Sequence, residues 1–244
     1  MTLFDHLVGC PSAIGARQDR SLDSKYDVWH SMNTPTPRNP VLLLHGIWDT
    51  GAIFQPMTRY LNSLGWETHD LNLTPNNGDR CLSELAQQVA AYADRTFTPE
   101  TPFDLLGFSM GGIVGRYYLQ RLGGIDRVQR FVTLSSPHSG TWVAYGSLRL
   151  GCVQMRPGHP FLQDLNQDLD MLDRLNFTSI WTPLDAMILP ASSSRVSIGR
   201  DVRVWVPLHR DMVTHPQSLK AVADALVEPV RRKPDLQVSH SNSI

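Results

Sequence analysis

Short, continuous apolar runs alternate along this chain with stretches whose apolar positions recur at helical spacing. "VLLLHG" (41–46) is apolar without interruption until a glycine ends it, the pattern of a strand buried on both faces of a parallel sheet. "FDLLGF" (103–108) and "VQRFVTLSS" (128–136) repeat that pattern, and "WETHDLNL" (66–73), "FTSIWTPLD" (177–185) and "VRVWVP" (202–207) also predict strands. Between them, "IFQPMTRYLNSLG" (53–65) predicts a helix stopped by Gly65. "CLSELAQQVAAYADRTF" (81–97) places Leu82, Leu85, Val89 and Tyr92 on one helical face. Further helices are predicted over 110–122, ended by Gly123 and Gly124, and over 216–230. Strands alternating with helices imply an α/β fold: a mostly parallel central sheet with helices on both faces, whose ligands sit beyond the carboxyl ends of the strands.

The same reading divides the chain. The proline-punctuated "NTPTPRNP" (33–40) cannot be crossed by a helix, so residues 1–38 are expected to form a partly irregular N-terminal extension. Residues 39–230 make one main domain, in keeping with a 244-residue chain that is 41% hydrophobic. Within it the periodicity blurs over 140–176, a stretch expected to serve as a cap or pocket wall. Residues 231–244 read as a polar tail.

Charge and cysteine usage remove several function classes. A net charge of −1, with "RRK" (231–233) the only dense basic run, gives no footprint for nucleic acid. Cys10, Cys81 and Cys152 have neither metal-ligand spacing nor the density of a disulfide framework, so reduced thiols are expected. "LVGC" (7–10) matches a lipoprotein cleavage tetrapeptide, but no basic or apolar region precedes it. With no apolar run of about 18 residues, the expectation is a cytoplasmic protein without signal peptide or transmembrane segment.

The candidate chemistry centres on "GFSMG" (107–111). A strand turning sharply into a helix, with glycines two before and two after a serine, projects the Ser109 hydroxyl from a strained turn. A serine needs a base to take its proton and an acid to orient that base. In this topology both follow the serine, each just past a later strand. Asp185 and His209 satisfy that order. Among rival histidines, His6, His30 and His240 lie near the ends, His69 lies inside a strand, and His215 precedes Pro216 at the start of the last helix. Of the rival acids, Asp201 precedes its strand and Asp211 is too near His209 in sequence. The developing oxyanion needs preset donors, and the backbone N–H groups of Met110 and Ile47 in "HGIW" (45–48) are the candidates. His45 then reads as a hydrogen-bonded scaffold residue, His138 as a loop-stabilising or pocket residue, and His159 as an ordinary loop residue. No spacing suggests a metal site.

With "HGIW", "GFSMGG", "SSPHSGT" (135–141), Asp185 and His209 in place, residues 40–230 resemble an α/β-hydrolase, and specifically are similar to small bacterial lipases and esterases. The resemblance implies carboxylic-ester hydrolysis through an acyl-enzyme, with no cofactor and no metal. The chain departs from that pattern in having "HGIW" where many esterases carry a triple glycine. Trp48, Phe54, Trp142, Met187 and Ile188 are the candidate substrate-binding residues, which favours apolar acyl or lipid esters and leaves room for transient contact with a lipid interface. A thioesterase or acyltransferase would use the same residues, and a non-catalytic binding protein on this fold would have no need of them.

Overall fold

In the computed structural model, residues 38–230 are described. Six strands, β1 (Val41–Leu44), β2 (Thr68–Leu71), β3 (Phe103–Phe108), β4 (Val128–Leu134), β5 (Asn176–Trp181) and β6 (Arg200–Arg203), form one sheet in the order β2-β1-β3-β4-β5-β6. Every neighbouring pair is parallel. The helices are α1 (Gln55–Ser63), α2 (Leu82–Thr96), α3 (Met110–Arg121), α4 (Leu150–Gln154), α5 (Pro160–Gln167) and α6 (Pro216–Leu226).

The period of two along each strand decides which helices it meets. In β1, Leu42 and Leu44 face one core, while Val41 and Leu43 face the other. In β3, Phe103 and Leu105 join the first core, and Leu106 and Phe108 the second. α2 and α3 cover the first face through residues such as Leu85, Val89 and Ile113; α1 and α6 cover the second through Met57, Leu61 and Val222. The continuous apolar runs of β1 and β3 therefore follow from burial on both faces.

The edge strands carry a weaker signal. β6 reads Arg-Asp-Val-Arg and is mostly exposed, two residues earlier than the predicted "VRVWVP" run. Val204 and Val206 are buried beyond its end, where Val204 N still donates to Trp181 O at 2.9 Å, so their alternation marks core contact past the regular strand. Asp201, expected before the strand, instead lies inside it and accepts a hydrogen bond from Arg195 Nε.

Two buried charges bracket β3 and α3. At the start of β3, Asp104 is fully buried and accepts from Arg130 Nη1 at 3.1 Å and Asn39 Nδ2 at 2.9 Å. Burial raises its pKa to about 6, against the opposing pull of Arg130 and Asn39. In α3, the buried Arg116 donates to Leu165 O at 2.6 Å and Asn166 Oδ1 at 2.9 Å. Gln120 Nε2 donates to Leu165 O and Asp168 O, so α3 supplies the donors that the C-terminal carbonyls of α5 lack. Among the described residues, no helix is long and apolar enough to cross a membrane.

Candidate active site

Ser109 joins β3 directly to α3, with φ 53° and ψ −121°. That conformation is costly for any residue with a Cβ, and the packing around it enforces the turn. A Cβ on Gly107 would come within 2.5 Å of Gly112, and one on Gly111 would overlap Leu44 O, so helix and strands approach to backbone contact. Ser109 N donates to Leu134 O at 2.9 Å, fixing the elbow to β4.

His209 opens a short 3-10 turn (His209–Val213), and Asp185 lies in the loop after β5. His209 Nδ1 and Asp185 Oδ2 are 2.7 Å apart. The other carboxylate oxygen accepts from Met187 N and Ile188 N, both at 2.9 Å. Burial alone would raise the Asp185 pKa, but the His209 contact and the two backbone N–H groups outweigh it and hold the carboxyl below its ordinary value. An ionised carboxylate only accepts, so it keeps the imidazole proton on Nδ1 and leaves Nε2 as an acceptor. Thr182 ties the two loops together: its Oγ1 donates to Val206 O at 2.8 Å. On its face the His209 ring packs on Phe108, the residue before Ser109.

The loop after β1 closes the site from another side. A Cβ on Gly46 would lie 3.2 Å from Ser109 Cβ. His45 Nε2 accepts from Leu73 N at 2.9 Å, which leaves Nδ1 to donate to Gly46 O at 2.8 Å. Burial lowers the His45 pKa against the pull of Gly46 O, Asp49 and Asp70, in agreement with a neutral, structural ring. Trp48 has φ 61° and donates its N–H to Asn76 O at 2.7 Å. The N–H groups of Ile47 and Met110 donate to no acceptor among the described residues.

Ser109 opens into a cavity of about 230 Å³ lined by Ile47, Trp48, Met187, Ile188, Cys152 and Met155, among others. Ser109, Ile47, Trp48, Met187 and Ile188 are thus brought together as expected candidates. Two others are not. Phe54 is fully buried in the core beneath α1 and α6, because the 3-10 turn that carries it (Gly51–Phe54) points it inward. Trp142 is 61% exposed, stacks on Tyr145 and stands outside the cavity lining.

The rival histidines have structural partners. His215 caps α6, accepting from Gln217 N, and His159 caps α5, accepting from Phe161 N, a role beyond the loop placement expected of it. His138 is wholly buried, 3.1 Å from Thr133 Oγ1, and burial followed by Arg116 drives its pKa well down. Sequence reasoning missed Cys152, Asp49 and Thr141. Thr141 Oγ1 donates to Met187 O and accepts from Leu189 N, both at 2.9 Å, which holds the loop after Asp185 against the cavity; its place at the end of "SSPHSGT" was the available signal. Among the described residues, no group of three His, Cys, Asp or Glu side chains could hold a metal ion.

Known structures share this architecture. The mature lipase BlEst2 of Bacillus licheniformis superposes with a TM-score of 0.68 at 15% identity, covering 80% of this chain and 94% of its own. Aspergillus fumigatus lipase B gives 0.66 at 18% identity, with 83% and 55% covered. An extracellular α/β-hydrolase from a Paenibacillus species gives 0.54 at 18% identity, with 80% and 100% covered. At such identities the likeness establishes the α/β-hydrolase fold. The family model described as palmitoyl protein thioesterase matches residues 40–166, just over half of the chain, from the first strand through the Ser109 elbow to the cavity wall. The chain therefore belongs to the palmitoyl protein thioesterase family of the α/β-hydrolase superfamily, and is a hydrolytic enzyme acting on esters.

Proposed function

We propose that Ser109, His209 and Asp185 act as nucleophile, base and orienting acid, with the N–H groups of Ile47 and Met110 as oxyanion donors, in hydrolysis of apolar acyl esters. The observation that carries this reading is the 2.7 Å His209–Asp185 contact beside a serine at a strained elbow facing an apolar cavity. Ser109 Oγ attacks the acyl carbon as His209 Nε2 takes its proton. The tetrahedral oxyanion forms against the two N–H groups. His209 then returns the proton to the leaving alcohol or thiol, and water, deprotonated by the same nitrogen, releases the acid.

A thioester is the second reading, favoured by the family match over residues 40–166. Chain length follows from volume. A cavity of about 150 Å³ accommodates benzene, so 230 Å³ encloses an acyl segment of about nine carbons, and longer chains extend outward over the rim. Beside that lining, Trp142, Tyr145 and Leu148 are exposed and would meet a lipid interface. The free thiols of Cys81 and Cys152 fit a reducing, cytoplasmic setting.

A fluorophosphonate probe with peptide mapping tests the assignment: labelling at Ser109 that is lost in His209→Ala supports it. Labelling elsewhere, or none in folded protein, overturns it. Matched panels of oxygen esters and thioesters from acetyl to palmitoyl then rank the leaving groups and chain lengths.

A further inference from the structure

Arg210 follows His209 directly, and its Nη2 reaches Asp49 Oδ1 at 3.2 Å. Asp49 belongs to the loop that carries Ile47; its N–H donates to Gly46 O at 3.3 Å and its carbonyl accepts from Asn76 Nδ2 at 2.7 Å. One ion pair thus joins the loop after β1 to the turn that bears the histidine. The two ends differ in exposure: the Asp49 side chain is 14% exposed and that of Arg210 76%. Burial raises the Asp49 pKa, opposed first by the Arg210 charge and then by His45 and His209 whenever those rings carry a proton. The carboxylate therefore senses both histidines of the site.

We propose that Asp49 and Arg210 are a positioning pair for the reaction: they lock the loop bearing the Ile47 N–H to the turn bearing His209, and set the charge around that imidazole. The proposal rests on His209 being the base. Among the described residues, Asp185 from the loop after β5 contacts His209, Asp49 from the loop after β1 interacts with it, Arg210 and Asp211 share its turn, and β3 supplies the uncharged Phe108 ring. Asp49 in turn interacts with Arg210, His45 and His209, and Asp70 of β2 acts on His45.

A purely structural tie and an electrostatic one differ in pH dependence. Removing a negative charge near an imidazole disfavours its protonated form, and removing a positive charge favours it. The test is the pH profile of kcat/KM for Asp49→Asn, Arg210→Gln, the double variant and Arg210→Lys, at low ionic strength, with melting temperatures alongside. The acid limb should move to lower pH in Asp49→Asn and to higher pH in Arg210→Gln, each by about 0.3–1 pH unit. The double variant should return toward the parent, and Arg210→Lys should match it. Because Arg210 is exposed, melting temperatures of its variants should stay within about 2 °C of the parent.

Shifts in the same direction, or unshifted limbs in active variants, overturn the pairing. Should Asp49→Asn fail to fold, the opposed behaviour of Arg210→Gln and Arg210→Lys still decides it. His209→Gln separates the two levels of inference. If that variant retains the parent's activity and acid limb, the base assignment falls and the pair with it; if it is inactive while the charge variants do not split, only the pair falls.

Discussion

The ring of His209 lies on the ring of Phe108, with centroids 4.8 Å apart and planes inclined at 34°. The residue that ends β3 thus supports the imidazole, and the next residue is Ser109. Asp185 fixes the imidazole at Nδ1, while Phe108 limits the tilt of its plane. Phe108→Leu keeps the core contact but loses the flat support. It should lower kcat about tenfold with little change in KM, a split that steady-state kinetics reads directly. An unchanged kcat would show that Asp185 alone holds the ring.

Strain at Ser109 should be measurable as stability. A φ of 53° with ψ −121° lies outside the common regions and costs a non-glycine residue about 1–3 kcal/mol. Ser109→Gly should therefore melt above Ser109→Ala by about 2–8 °C, although both abolish turnover. Calorimetry of the two inactive proteins checks this, and equal melting temperatures would mean that the elbow stores nothing.

Cys152 provides a handle on the cavity, since its side chain is buried in the lining beside Met155. Cys152→Phe should shorten the accepted acyl chain: acetyl and butyryl esters turn over within about threefold of the parent, while decanoyl esters lose at least about tenfold in kcat/KM. A uniform loss across the panel would place the acyl chain elsewhere.

Asp104 predicts a pH dependence remote from the chemistry. Its folded pKa, about 6, exceeds the 3.8 of an ordinary aspartate, so between those pH values the folded state binds more protons than the unfolded chain. Stability from this group is fully present below the unfolded value and is lost as pH rises toward 6, by up to about 3 kcal/mol. The difference in unfolding free energy between the parent and Asp104→Asn should fall between pH 4 and 6 and flatten above; a rise over that window would reverse the sign argued here.

What the sequence revealed and concealed follows from burial. β3 and the start of α3 are readable to the residue, because a strand sealed on both faces is apolar throughout and the elbow demands glycine at Gly107 and Gly111. β6 was displaced because an edge strand has no such demand, and buried Val204 and Val206 imitate its alternation. The order Ser109, Asp185, His209 along the chain made those candidates legible. The inward turn of Phe54 and the bridging carboxylate of Asp49 depend on contacts between segments far apart in sequence, and local pattern carries no trace of them.

The grip of Arg116 and Gln120 on α5 sets a tethered segment apart from the looser one, around Gly146 and Ser147, that lines the cavity. Residues 165–168 are tied to the helix that begins directly after Ser109, so they cannot swing without disturbing that helix. The stretch from Tyr145 to Leu150 is mostly exposed and is held by a few contacts, among them Tyr145 on Trp142, Arg156 to Ser147 O and Arg149 to Asp79. Amide hydrogen exchange should accordingly run faster across 145–150 than across 162–167, and faster still once Arg149→Ala removes the contact with Asp79.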